Sequence, residues 1–583
     1  MSNSNSILQS IKGILFLTKG FYYKLSVVAF YILLNSLIEI LSIGLIIPVI
    51  HFFFRGTNFI QISENNFFNK LNYTISDGNS VFYLLFIIGI IFTAKFLFTV
   101  YSKLYINKIL SKINLDLKQK LIRTYLNQDY LFFIKENTSQ IINTAEEVNV
   151  FVQHVLSSLI NLFADLLLAF LILIFLLYLY FFNSLIIIIV LLFLFSFYFF
   201  FTKNKLSKLG EERLKTNFLR IKNLQQVFSG IREVKLFNLE RYNLKIFNKI
   251  HEIFFNNYAI QQNYRDVLRP FFEFFFIIFV LFLIFFSLLL KKNSTELILF
   301  LTLLSVCAIR LLPITSRLIY NIQTIKFKSH SIELLIKSFK LNMENKITNS
   351  KKENINYAFQ DSIIFENVYF NYPESKNELL NNINIVIRKK DHIGIIGESG
   401  AGKSTFIDLF CGLLRPSSGI IKIDGKDLNQ NILSWQKLIG YVPQNIHLID
   451  DTIISNIAYG IEEEKIDIKF LDNIINMSNL RGFVSELPEG LLTIVGERGV
   501  KLSGGQKQRI GIARALYKKP DILILDEGTN ALDVENEKEI IQSLQNFSEK
   551  TLIFVSHRPE ILKNCNKIFF LDKGTLSLQN KNC

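Results

Sequence analysis

Cysteine is scarce: Cys307, Cys411, Cys565 and Cys583 are the four in 583 residues, and none falls in a CxxC or metal-ligand spacing. A disulfide framework and a cysteine metal site are thereby excluded, and the thiols read as those of a reducing compartment. The N-terminus, MSNSNSILQSIKGILFLTKG, lacks the compact charged, apolar and small-residue succession of a cleavable signal. Too few residues precede the first long apolar run to hold a processing protease, so a peptide exporter carrying its own protease is not expected. Acidic residues are also short, 49 against 64 Lys and Arg, for a formal net charge of +15. Most of that excess lies between the apolar runs before about residue 330, a pattern that fits anionic headgroups and argues against a nucleic-acid partner.

What the chain has instead is length and long apolar runs. It exceeds what one hydrophobic core fills, so several domains are expected. Crossing ~30 Å of hydrocarbon takes about 20 apolar residues. Segments near 24–50, 81–104, 155–180, 184–203, 270–290 and 295–318 qualify, the third and fourth joined only by FFN as a helical hairpin. Such spans exclude a soluble ATPase of nucleic-acid metabolism.

Lys and Arg stay on the cytoplasmic side. The segment after span 2 carries Lys103, Lys108, Lys112, Lys118, Lys120, Arg123 and Lys135, and the one after span 4 runs from Lys203 through Arg232 to Arg241. The loops after spans 1, 3 and 5 offer Arg55, Lys70, Lys291 and Lys292. A multi-pass protein with cytoplasmic N- and C-termini follows. The two basic segments keep helical periodicity and should extend the spans into the cytoplasm, with contact bends at 125–140 and 228–240. Ile7, Leu8, Ile11, Ile14 and Leu15 recur at helical spacing, which predicts an interfacial elbow helix over 1–20 leading into a membrane domain over 21–340. Phe59, Ile60, Phe67, Phe68 and Leu71 predict a small amphipathic helix on the outer leaflet within the loop 55–80.

Residues 341–357 are polar and read as a linker. From 358 to 583 short β-rich runs alternate with helices, the pattern of a largely parallel α/β domain. IGIIGESGAGKST follows a strand and opens a helix with Gly397, Gly402, Lys403 and Ser404 in P-loop spacing. The glycines let backbone N–H groups wrap a phosphate chain, Lys403 reaches the terminal phosphates, and Ser404 suits Mg²⁺. At the end of the apolar strand in ILILDEGTNALD, Asp526 suits the Mg²⁺ shell and Glu527 suits polarising an attacking water. LSGGQKQR puts Ser503, Gly504 and Gly505 at a helix start, a second phosphate reader in a chain that already has one, which implies a partner subunit.

GESGAGKST, YVPQ, LSGGQKQR, ILILDE, NALD and VSHR, in this order, resemble the ATP-binding cassette family over residues 358–583, and the six spans resemble its exporter-type half-transporters. The implied fold is a multidomain membrane protein, an all-α six-helix transmembrane domain followed by an α/β P-loop ATPase domain. The resemblance implies a homodimer with ATP and Mg²⁺ sandwiched between subunits. ATP would meet Gly397, Glu398, Ser399, Gly400, Ala401, Gly402, Lys403, Ser404 and Thr405, with Tyr372 stacked on adenine. From the other subunit would come Ser503, Gly504, Gly505 and Gln506, with Asp533 communicating across the dimer. Mg²⁺ would be held by Ser404, Gln444 and Asp526. Glu527, His557 and Lys403 would be catalytic, and GERG (496–499) would contact the cytoplasmic loops. Gly528 and Asn530 stand where Ala and Ser are commoner in the family, and neither change removes a catalytic group.

Two function classes remain, an ATP-driven exporter or flippase and an ATP-gated channel or receptor; the presence of both Glu527 and His557 favours turnover. Charges at membrane depth usually face a cavity or a partner. Lys95 and Arg310 each lie about 21 Å along their helices from the outer end, and Arg269 lies nearer the cytoplasmic boundary. These three are expected to line an anion-receiving cavity, with Glu39, Asp165 and Glu273 as competing partners. RPFFE, REVKLFN and the basic spans are similar to bacterial lipid-linked oligosaccharide flippases of the inner membrane. An anionic lipid-linked glycan is therefore the expected substrate, with a lipid A-like glycolipid, drug or peptide as the alternative.

Overall fold

The computed structural model describes residues 12–44, 78–179, 181–289, 294–349, 357–373, 378–528, 539–540, 542–544, 549–556, 562–563 and 565–579. His557, Asp533, the expected outer-leaflet helix at 59–71 and the side chain of Arg310 lie outside what is described. The chain divides into one unit of residues 1–128 and 135–347 and a second of 129–134 and 348–583.

The first unit is all helix. Residues 12–17 form a short turn of helix within the expected elbow. Then come α1 (Tyr22–Gly44), α2 (Gly78–Leu126), the short α3 (Tyr130–Lys135) and α4 (Thr138–Val150). A π-helical turn, Phe151–Leu156, leads into α5 (Ser157–Leu179), followed by α6 (Phe181–Ser229), α7 (Ile231–Leu236), α8 (Glu240–Asp266), α9 (Leu268–Leu289), α10 (Ser294–Phe327) and α11 (Ser329–Asn349). Two expectations shift. FFN is the first turn of α6 and not a connection, since hydrocarbon favours keeping backbone groups paired within a helix. The polar stretch from 341 continues α11 as far as Asn349, because its Glu, Lys and Met residues are good helix formers.

Among the described residues, Tyr22–Ser42, Leu85–Leu126, Thr138–Tyr178 and Glu240–Phe285 are long and apolar enough to cross a membrane, and α6 adds a fifth when its two segments are taken together. The sixth expected span falls on α10, where most side chains before residue 309 lie outside the description. α2 and α6 each have 49 residues. At 1.5 Å per residue α2 is ~74 Å long, more than twice the hydrocarbon thickness, and α6 has the same contour length but bends by 42° between 188–202 and 205–229, so in both the polar extensions are continuous with the apolar segments.

A polar seam holds the extension of α6 against α4 and α11. On α4, residues 139, 143 and 147 are four apart and share one face. Ser139 bonds Gln225, Asn217 Nδ2 donates to Asn143 Oδ1 at 2.7 Å, and Arg213 forks Glu147 at 3.3 and 2.9 Å. The Arg213 and Glu147 side chains are 2% and 1% exposed, and Arg213 also donates to Ser331 Oγ at 2.7 Å. Next to them the buried Lys328 Nζ donates to Tyr258 Oη at 2.7 Å. Burial and the neighbouring Arg213 push the Lys328 ammonium down to about 7, against the pull of Glu147. Gly210 permits this packing: a Cβ there would sit 2.0 Å from the carbonyl oxygen of Phe327.

In the second unit, β1 (Ser362–Phe370), β2 (Leu380–Arg388), β4 (Ser418–Ile423) and β5 (Lys426–Asp427) form an antiparallel sheet ordered β2-β1-β4-β5. The other sheet runs β10-β9-β3-β8-β7-β6, built from β3 (His392–Gly397), β6 (Ile439–Val442), β7 (Ile522–Asp526), β8 (Thr551–Val555), β9 (Lys567–Asp572) and β10 (Thr575–Gln579). Its β6, β7, β8, β3 and β9 pair in parallel. β7 and β8 are buried at every residue, as a sheet covered on both faces requires. α12 (Lys403–Phe410) follows β3, and α13 (Gly504–Tyr517) precedes β7. Trp435, wholly buried, anchors α12 by donating its Nε1–H to the Phe410 carbonyl at 2.7 Å. Residues 129–134, inside the expected contact stretch 125–140, group with this unit, and Leu131 packs on its core. The other expected contact, α7, belongs to the first unit and leaves Leu236 and Phe237 exposed.

Candidate functional site

The loop between β3 and α12 carries the expected phosphate cradle. A Cβ on Gly397 would lie 2.3 Å from the Leu571 carbonyl oxygen, and Gly402 caps α12 at φ +103°, so neither position admits a side chain without displacement. Lys403, 9% exposed, turns its Nζ onto the loop's own carbonyls, Gly397 O and Glu398 O, the latter at 3.0 Å. Glu398, Ser399, Gly400 and Ser404 face solvent, while Thr405 is buried and lies 3.4 Å from the Tyr372 hydroxyl. Tyr372 itself packs edge-on against Phe370.

β7 delivers two successive carboxylates. Asp526 is 7% exposed, and its Oδ2 accepts from the Tyr441 hydroxyl at 3.2 Å. Burial raises the Asp526 carboxyl, and the Tyr441 hydrogen bond opposes that rise. Asp408 on α12 is pushed up to about 6 by burial, with the Asp526 charge adding to the effect. Glu527 leaves the strand with φ +49°, a left-handed backbone that stores strain in a non-glycine residue. Its N–H donates to Val555 O at 2.9 Å, and its Oε2 accepts from Gln444 Nε2 at 2.7 Å. Ser404, Gln444 and Asp526 offer hard oxygen donors, and the buried carboxyl of Asp526 fits a divalent ion such as Mg²⁺.

Ser503 caps α13 in a reciprocal box: its Oγ accepts from Gln506 N at 3.3 Å, and Gln506 Oε1 accepts from Ser503 N at 2.8 Å. The box turns the exposed Ser503 and Gly504 outward at a helix N-terminus, the arrangement that binds anions. The GERG turn precedes it, with Arg498 at φ +53°.

In the membrane unit the three expected cations part company. Lys95 Nζ lies 2.7 Å from Glu39 Oε2 and donates to Ser42 Oγ at 2.8 Å, so it is neutralised between α1 and α2. Arg269 pairs with Glu273 at 2.6 Å, yet its side chain is 74% exposed and lines a cavity of about 770 Å³. The cavity also receives Lys103 from α2, Asp165 from α5, Arg265 and Asp266 from α8, and Arg317 from α10. Arg317 forks the buried Asp165 through Nε at 3.0 Å and Nη2 at 2.7 Å and keeps 54% of its side chain exposed. Arg265 stacks 4.7 Å from the Tyr320 ring centroid. Neither Arg265 nor Lys103 has a carboxylate partner among the described residues. Asn321, 3% exposed, lines the cavity without a side-chain hydrogen bond among those residues. The lining thus sets four cations against two carboxylates. Sequence reading used Lys103 for orientation and not for a cavity, and passed over Arg317 and Asn321; the one signal for Arg317 is its position two helical turns after Arg310.

Two family descriptions match the chain, "ABC transporter transmembrane region" over residues 25–309 and "ABC transporter" over residues 380–530. The chain belongs to the ABC transporter family. It joins a helical membrane domain and an ABC cassette in one chain, as exporter half-transporters do. Over 226 residues it is 42% identical to the alpha-hemolysin translocation ATP-binding protein HlyB of Escherichia coli O157:H7, which covers 38% of this chain and 32% of that one. It is 36% identical over 220 residues to an ATP-dependent lipid A-core flippase of Cupriavidus metallidurans, 37% of each chain. A putative export ATP-binding/permease protein of Rickettsia bellii is 40% identical over 223 residues, 37% of this chain and 38% of its own. The chain therefore spans between 32% and 38% of the length of these curated relatives. A solved bacterial Atm1-family ABC exporter with ATP bound shares the fold at TM-score 0.76 and 20% identity, over 96% of this ABC transporter chain and 95% of that one.

Proposed function

We propose that this chain is half of a homodimeric, ATP-driven translocase that exports or flips an anionic amphipathic substrate across a bacterial inner membrane, with both termini cytoplasmic. The observation that carries this reading is the cation-rich cavity, in which Lys103 and Arg265 have no described carboxylate partner. Arg suits a phosphate-bearing group because its planar fork gives two parallel donors. A lipid-linked pyrophosphate oligosaccharide is the finer reading. The lipid A-core flippase among the relatives supports a lipid A-like glycolipid cargo, whereas the alpha-hemolysin translocation protein supports a polypeptide.

In the cassette, the 397–405 loop holds the phosphates and Tyr372 stacks on adenine. The Ser503–Gln506 turn, facing outward, closes over the nucleotide of a second copy, with Asp533 at the junction. Lys403 leaves its carbonyl partners to neutralise the terminal phosphates. Ser404, Asp526 and Gln444 would hold Mg²⁺, which when bound would supply charge neutralisation for phosphoryl transfer. Gln444 uses Nε2 on Glu527, leaving Oε1 without a hydrogen bond to any described residue. Glu527 would polarise the attacking water, and the role of γ-phosphate partner falls to His557.

The test is transport by the purified full chain in proteoliposomes, with a fluorescent lipid-linked pyrophosphate oligosaccharide, a lipid A-type glycolipid and an unfolded polypeptide offered in turn. ATP-dependent movement of the first is expected. Lys103→Ala with Arg265→Ala should abolish that movement and substrate stimulation while leaving basal hydrolysis within about twofold. Movement of the polypeptide alone, or passive ion current without turnover, would overturn the reading.

A further inference from the structure

Strand β6 does more for the magnesium carboxylate than complete the sheet. It pairs in parallel with β7, with Tyr441 opposite Ile524 and Val442 opposite Leu525. That register carries the Tyr441 phenol to the end of β7, where its hydroxyl lies 3.2 Å from Asp526 Oδ2. Three residues on, Gln444 donates to Glu527 Oε2 at 2.7 Å. The end of one strand thus supplies a donor to each of the two successive carboxylates ending the next. Among the described residues, the Asp526 carboxylate accepts no other hydrogen bond.

A carboxylate that ligates a cation through one oxygen turns freely about its last bond unless the other oxygen is tied. Partners that tie ligands in this way typically govern metal affinity by about 10–100-fold. We propose that Tyr441 is a positioning residue for metal–nucleotide binding, holding Asp526 Oδ2 so that Oδ1 is presented to the divalent cation. The proposal rests on the reading that Asp526 ligates Mg²⁺. The hydroxyl acts through Asp526 and does not touch the nucleotide, so its loss weakens the metal's share of binding and spares the nucleotide's own.

The experiment uses the full chain in detergent with Glu527→Gln to stop turnover, and compares binding of ATP without metal with binding of Mn²⁺–ATP. The parent should bind Mn²⁺–ATP more tightly than metal-free ATP. Tyr441→Phe, which keeps the ring and removes the hydroxyl, should shrink that metal-dependent gain by about tenfold, with metal-free affinity unchanged. The Mn²⁺ electron paramagnetic resonance signal should show the same loss directly. An undiminished gain, or a parallel fall in metal-free affinity, would mean that Tyr441 only packs the strand. Asp526→Asn separates the two layers. If it leaves the gain intact, Asp526 is not the ligand and the underlying reading fails. If it abolishes the gain while Tyr441→Phe does not, only the Tyr441 proposal fails.

Discussion

Gln444 holds Glu527 by a 2.7 Å hydrogen bond while Glu527 occupies a left-handed backbone conformation. The side chain assigned to activate water is therefore restrained at both ends, by its strained main chain and by its carboxylate. An amide in its place keeps an oxygen for Gln444 and loses only the base. Glu527→Gln should bind ATP normally and hydrolyse it about 10²–10⁴-fold more slowly. Nucleotide retained through gel filtration, alongside the phosphate-release rate, is the check; hydrolysis at the parent's rate would remove Glu527 from its role.

Lys95 gives a different kind of prediction. Its amine is spent on Glu39 and Ser42, so its replacement should act on folding and not on cargo. Lys95→Ala should lower the melting temperature by removing the cation 2.7 Å from Glu39, and Glu39→Gln in the same chain should restore most of it. Substrate-stimulated ATPase in the double variant should match the parent. A loss of stimulation there would return Lys95 to the cavity.

Arg213 and Glu147 are buried so completely that, with Arg213 gone, Glu147 is left with only the partly neutralised Lys328 to offset its charge. Arg213→Met should cost about 3–5 kcal/mol of stability. Arg213→Met with Glu147→Leu should recover most of that, because the desolvation penalty disappears with the pair. Additive losses in thermal unfolding of the single and double variants would contradict the pairing.

Lys328 sets a pH dependence whose sign is determined. Its folded pKa, about 7, lies below the usual lysine value near ~10.4. Between those values the unfolded chain binds the extra proton, so this group makes stability rise with pH from about 7 upward, and below 7 its destabilising effect is fully present. Lys328→Met should flatten the melting temperature between pH 7 and 9 relative to the parent, with a stability difference of a few kcal/mol closing as pH rises. Parallel curves for the two proteins would show that Lys328 stays charged throughout.

The backbone geometry of the cassette's phosphate loop and carboxylate strand was legible because it is local. Gly397 to Ser404 specify a backbone cradle within eight consecutive residues, and the register of β7 puts Asp526 and Glu527 at a strand end whatever surrounds them. Tyr441, quoted in YVPQ, gave no such signal: its partner lies 85 residues away, and only the β6–β7 register brings them together. In the membrane unit the helices could be read from hydropathy, but which cations face the cavity depends on partners across helices. Arg317 finds Asp165 over 152 residues and Lys95 finds its serine partner over 53, and no periodicity encodes either choice. Arg269 was placed near a cavity and lines one, although its local pair with Glu273 could equally have withdrawn it.

α2, 49 residues long, is a lever, whereas α6 bends by 42° between its two segments. A rod of ~74 Å that tilts by about 5° at one end carries the other through ~6 Å, so a helix rotation too small to disturb side-chain packing in the bilayer becomes a full helical pitch of travel at the polar tip. The gearing also runs in reverse: a displacement applied at the polar tip arrives at the other end reduced in amplitude and multiplied in force.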